Sequence, residues 1–142
     1  MTLILEESLT LEEVTVPGYE KIIRATQKNV GLDAIICIHN TAMGPALGGT
    51  RIYPYPTFES ALNDAMRLAK GMTYKSALAE CGWGGGKSVI NLDPKKGKSK
   101  EMLKAFGSAV DYLEGLYSID LIISLLDNSV SPTRFGGVDI TT

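Results

Sequence analysis

The sequence predicts an α/β fold in which helices and strands pack as layers. Three observations carry this. Apolar residues at 34–39 form a continuous run rich in β-branched side chains, the mark of a strand covered on both faces. Two stretches, beginning near 58 and near 100, repeat apolar residues at helical spacing. Strand-like and helix-like segments then alternate along the chain, which is the order that builds layered α/β architectures. A chain of 142 residues with 44% hydrophobic content fits one domain with its own core. That domain is expected to span 1–126.

Taken in order, residues 19–25 (YEKIIRA) suit either a strand or a helix, and Gly31 ends them. Ala34 to His39 is the buried strand. Residues 43–56 (MGPALGGTRIYPYP) hold too many glycines and prolines for a helix interior. Thr57 is suited to N-cap the next helix, with Glu59 in its first turn. Phe58, Ala61, Leu62, Ala65, Leu68, Ala69 and Met72 line its apolar side, so the helix runs from 58 to about 79 with Gly71 as a weak point. A strand follows at 88–92, then a turn at Asp93, Pro94 and the lysine-rich loop. Ser99 caps a second helix whose buried side carries Met102, Leu103, Phe106, Val110 and Leu113, and Gly115 stops it. Residues 117–126 are strand-like. Residues 127–142 are polar and glycine-bearing and are expected to be a disordered tail.

Composition narrows the function. Net charge is −2 with a pI near 5.4, so no basic surface points to nucleic acid, and Lys95, Lys96 and Lys98 read as a solvated loop. Two cysteines, Cys37 and Cys81, argue against a disulfide scaffold and suit a reducing cytoplasm. No apolar run approaches a membrane span, and Glu6 and Glu7 stand where a signal peptide is basic. The expectation is a cytoplasmic domain with neither membrane nor nucleic-acid partner, and with no metal site.

The chemistry concentrates in three glycine-rich pieces: ALGGTR (46–51), GMTYK (71–75) and GWGGGK (82–87). The last ends like a phosphate-binding loop, but that loop needs a glycine where Cys81 stands. It also needs a helix after it, whereas here a strand follows. Glycines at 48, 49, 84, 85 and 86 leave bare backbone that another molecule can approach closely. Taken singly, each is more simply a turn or strand bend. Lys75 and Lys87, 12 residues apart, can be brought together by the fold; alone, each is more simply a solvated surface lysine. A lysine held against a dry, glycine-lined wall has its charged form disfavoured, which lowers its pKa from about 10.4 toward roughly 7 to 8, where a general base works. A second lysine would add to that and offer a cation to a carboxylate. His39 reads as a strand-end residue, and Trp83 either shields the glycine loop or packs.

In this order and spacing the three pieces resemble the substrate domain of the glutamate/leucine/phenylalanine/valine dehydrogenase family, most of all its leucine dehydrogenase branch. The resemblance covers about 19 to 117. Its signature is met by Gly84, Gly85, Gly86, Lys87, Val89, Asp93 and Pro94, with Cys81 in place of the usual aliphatic residue. The resemblance implies a three-layer α/β/α sandwich of the N-terminal, dimerising type, a homo-oligomer, and an amino acid oxidised with NAD. It implies that Lys87 is the catalytic lysine that activates water against the imine. It implies that Lys75 pairs with the substrate carboxylate, that Gly48 and Gly49 form the wall behind the substrate, and that Met72 packs in the site. Glutamate dehydrogenases carry lysine where this chain has Leu47; an aliphatic group there leaves a distal carboxylate unpaired and favours leucine, valine or isoleucine, with phenylalanine still open.

Two family features are missing from these residues. No G-x-G-x-x-G dinucleotide fingerprint occurs, so no cofactor is expected to bind this chain alone. The family's Ala-Glu-Asp-like stretch is also absent beyond Tyr117; Asp120 is the nearest carboxylate but does not sit in that motif. These gaps suggest a truncated or frame-shifted product that does not turn over alone. The alternatives are a non-catalytic binding or assembly module and an inactive remnant.

Overall fold

The computed structural model describes residues 2–4, 9–95, 97, 99–119, 134–135 and 138–139. Its strands are β1 (Thr2–Ile4), β2 (Thr10–Val14), β3 (Lys21–Gln27), β4 (Leu32–Asn40), β5 (Ala46–Gly48), β6 (Thr50–Tyr53), β7 (Gly84–Asn91) and β8 (Tyr117–Ile119). Helices α1 (Phe58–Leu78) and α2 (Lys100–Tyr112) connect the last three of these. The strands form one mixed sheet in the order β1-β2-β3-β4-β7-β5-β8, with β6 also paired to β7. Strands β1 to β4 and β7 pair antiparallel, whereas β5 and β6 run parallel to β7, and β8 runs parallel to β5.

Alternation along β4 divides the core into two layers. Ala34, Ile36 and Ile38 pack with Phe106, Val110 and Met102 of α2, while Ile35 and Cys37 pack with Ala61, Ala65 and Ala69 of α1. One helix on each face of the sheet gives the three-layer α/β/α sandwich.

Helix α1 starts where expected. Thr57 and Ser60 form a reciprocal capping box, and Glu59 lies in the first turn. Ser99 caps α2 through the N–H of Met102. Past the end of α2, Glu114 and Gly115 both have positive φ, 50° and 84°, which turns the chain back toward β8. The ambiguous segment 19–25 is the strand β3, paired along its length with β4. The strand expected at 88–92 begins four residues earlier, at Gly84, so the glycines lie inside β7. The glycine/proline segment holds β5 and β6, which are three and four residues long and too short to show a period. The expected strand over 117–126 is described only as β8. Most of the expected tail, 127–142, lies outside the described residues; within it Arg134–Phe135 (β9) pairs antiparallel with Val138–Asp139 (β10).

Candidate active site

Register places Leu47 and Lys87 on one face and Gly48, in step with Ala46, on the other. Lys87 pairs with Cys37, and Val89 with Ile35, so Lys87 lies on the α1 side of the sheet. Leu47 of β5 pairs with Gly85, two residues before Lys87, and shares that face. Lys87 is half-buried and lines an open cleft of 490 Å³ with Thr50, Arg51, Ile52, Leu68 and Pro94. A Cβ added at Gly49 would lie 3.3 Å from the Lys87 Nζ, so the bare backbone at 49 leaves room beside that amine. Along α1, Leu68, Met72 and Lys75 follow at four and three residues and form one stripe. Leu68 reaches the cleft. Met72 is half-buried and Lys75 exposed, about one and two turns further along.

At Gly48, Gly84, Gly85 and Gly86 the space a side chain would need is taken up by the fold. A side chain at Gly48 would overlap the Gly86 carbonyl, one at Gly84 the Asn40 carbonyl, and one at Gly85 the Thr73 backbone and hydroxyl. A Cβ at Gly86 would come 2.8 Å from the Tyr117 ring. Bare backbone at these positions lets strands and helix close on one another.

Several partners escape sequence reasoning. The Tyr117 side chain is fully buried, and its hydroxyl donates toward the carbonyls of Gly48 and Gly49 at 3.3 Å each and lies 3.0 Å from the Ser88 Oγ. Ser88 in turn lies 2.7 Å from the Thr50 hydroxyl, and its N–H donates to the Gly49 carbonyl at 3.2 Å. This network fixes the Gly48–Gly49 backbone from the α2 side. Its only trace in sequence is the alternation of Gly86, Ser88 and Ile90 against Gly85, Lys87 and Val89. On the α1 side, Asp64 accepts from the Tyr55 hydroxyl at 2.5 Å and from Arg67 at 2.8 Å, and lies 3.6 Å from the Arg51 guanidinium. Burial pushes the Asp64 carboxyl up, but those hydrogen bonds and the arginine charges outweigh it and hold its pKa below the usual value. Cys37, opposite Lys87, has its thiol pushed up to about 12 by burial and is no nucleophile. Trp83 is half-buried beside Gly44. Asp120 lies outside the described residues. Among the described residues no cluster of metal-ligating side chains occurs, and no helix is long and apolar enough to cross a membrane.

Residues 19–136 match the dimerisation domain of Glu/Leu/Phe/Val dehydrogenases. The chain belongs to this dehydrogenase family. Its match reaches beyond Tyr117, where the motif resemblance stops. Leucine dehydrogenase of Bacillus subtilis (strain 168) is 52% identical over 99 residues, 70% of this chain and 27% of that protein. Phenylalanine dehydrogenase of Lysinibacillus sphaericus is 49% identical over 102 residues, 72% of this chain and 27% of the other. The crystal structure of L-tryptophan dehydrogenase from Nostoc punctiforme superposes with a TM-score of 0.69 at 47% identity, covering 72% of this chain and 30% of that one. The chain thus spans little more than a quarter of these curated relatives. This Glu/Leu/Phe/Val dehydrogenase family member shares its α/β fold with the tryptophan dehydrogenase, and the names of its relatives range from leucine and phenylalanine to tryptophan dehydrogenase.

Proposed function

We propose that this chain is the substrate half of an NAD-dependent amino acid dehydrogenase acting on a branched-chain amino acid, leucine first. The observation that supports it most is the shared face of Leu47, Gly49 and Lys87. An aliphatic side chain, bare backbone and an amine on one face are what an apolar amino acid requires. In this reading Lys87 removes a proton from the water that adds to the imine carbon. Lys75 pairs with the α-carboxylate, Met72 packs alongside, and Gly48 and Gly49 present backbone behind the substrate.

The described residues do not form a cradle for the dinucleotide. Glycines 84, 85 and 86 lie in a strand with their Cβ directions filled by the chain itself, and Gly97, before α2, is covered by the Leu92 side chain. A homo-oligomer is part of the proposal, supported by the family's dimerising domain and by Tyr74 and Leu78, 57% and 87% exposed one turn apart on α1. A cytoplasmic setting is supported by two free thiols. Leucine-dependent NADH formation by the purified chain, with and without a separately supplied Rossmann domain, measures competence. Lys87→Ala in the complete protein tests the assignment: turnover is expected to vanish with the fold retained, and wild-type turnover would sink the catalytic role.

A further inference from the structure

Helix α1 crosses the sheet at one tight point, where Thr73 sits on Gly85 of β7 so closely that any side chain at 85 would overlap its backbone. Lys75 lies two residues past this crossing on the helix, and Lys87 two residues past it on the strand. Whatever fixes Thr73 on Gly85 therefore fixes the frame that carries both amines. Strand β4 breaks register here: Ile38 pairs with Gly86 and Asn40 with Gly85, which leaves His39 at an irregularity between them. Bulges of this kind re-aim a side chain. The His39 Nδ1 lies 2.7 Å from the Thr73 hydroxyl, which also donates to the Ala69 carbonyl at 3.4 Å. The imidazole is steadied from the other side by the Tyr19 ring, edge-on at 5.0 Å, and Tyr19 is itself tied to α1 through the Met66 carbonyl at 3.1 Å. Burial first, and then the Lys70 charge, hold the imidazole pKa below its usual value against the opposing pull of Glu20, which keeps the ring neutral near pH 7.

We propose that His39 is a positioning residue: through Thr73 it locks α1 onto β7 and so sets where Lys87 stands relative to the helix. What the lysines do rests on the function proposed above, but where His39 holds Thr73 does not. The test reads geometry rather than turnover. The chain is acetylated under limiting reagent, and the rate at each lysine is followed by mass spectrometry, with exposed Lys28 and Lys104 as internal standards. His39→Ala is expected to change the Lys87 rate about twofold to tenfold, the scale of one hydrogen bond, with the standards unmoved. Thr73→Val, close to isosteric, is expected to do the same. His39→Asn, whose amide nitrogen can stand near the Nδ1 position, is expected to restore the original rate. An unchanged Lys87 rate in both variants, an equal change at Lys28 and Lys104, or no rescue by asparagine overturns the proposal. If the labelling follows His39 while Lys87→Ala keeps its turnover, the positioning role stands and the catalytic reading falls.

Discussion

Gly85 and Gly71 put opposite demands on the same helix. At Gly71, exposed in α1, an added Cβ meets nothing within 4 Å, so Gly71→Ala is expected to stabilise the fold by up to about 1 kcal/mol through helix propensity. At Gly85 the added methyl overlaps Thr73, and backbone rather than a flexible side-chain tip must yield. Gly85→Ala is therefore expected to cost about 1 to 3 kcal/mol. Urea denaturation of the two variants checks both signs; a Gly85→Ala midpoint equal to wild type would mean that α1 is not seated on β7. Leu47 raises a question of specificity. It shares a face with Lys87, so Leu47→Lys in the complete protein places a further amine beside the proposed site. Without a carboxylate opposite, that amine is desolvated or turns neutral; with glutamate bound, it gains a partner. The ratio of kcat/KM for leucine to that for glutamate is expected to fall. An unmoved ratio would place Leu47 outside the pocket.

Among the elements, α1 was the most legible in sequence, because its cap and its apolar stripe are local signals that need no knowledge of the sheet. Strands β5 and β6 were not legible. They are short, carry or flank glycine, and take their conformation from pairing with β7, which lies more than thirty residues downstream. The glycines of β7 read as turns or strand bends for the same reason: the tertiary packing of Thr73, Tyr117 and Asn40 is what explains glycine inside a strand. The tie between β6 and α1 was equally invisible, since Arg51, Tyr55 and Asp64 meet only once the helix is docked. That tie has a pH signature. The Asp64 pKa lies below its ordinary 3.8 in the folded chain, so the unfolded chain takes up the proton first. Its stabilisation is complete above that ordinary value and is lost as pH falls through the folded one. Asp64→Asn is expected to cost about 1 to 2 kcal/mol at neutral pH, mostly because a neutral amide replaces the carboxylate that accepts from Tyr55, since the more exposed arginines add little. Thermal melts from pH 7 to pH 2 should show the variant losing less stability with acid than the wild type; parallel curves would contradict the tie.

At the scale of the whole molecule, the sandwich and the family were legible because they depend on pattern and motif, while the arrangement of the site was not, because it depends on register. Knowing that Leu47 faces Gly85 and that Lys87 faces Cys37 is what puts an aliphatic group and an amine on one side of the sheet. The same register bears on the cofactor. A dinucleotide site needs a strand that leads through a glycine-rich turn into a helix whose free N–H groups meet the pyrophosphate. The described residues offer two junctions from a strand into an α-helix. The one from β6 to α1 reads Pro54-Tyr55-Pro56-Thr57, with no glycine and two residues that lack an N–H, and Thr57 already satisfies an N–H of the first turn. The one from β7 to α2 has Gly97, but the Leu92 side chain fills the space that close approach would need. Titration calorimetry of NAD into this chain alone is therefore expected to give no binding heat, whereas the proposed amino acid substrate is expected to enter the cleft lined by Lys87 and Leu68. Micromolar NAD binding to the chain would mean that a cradle forms from residues other than these junctions, and the division of labour proposed here, substrate in this domain and cofactor elsewhere, would fail.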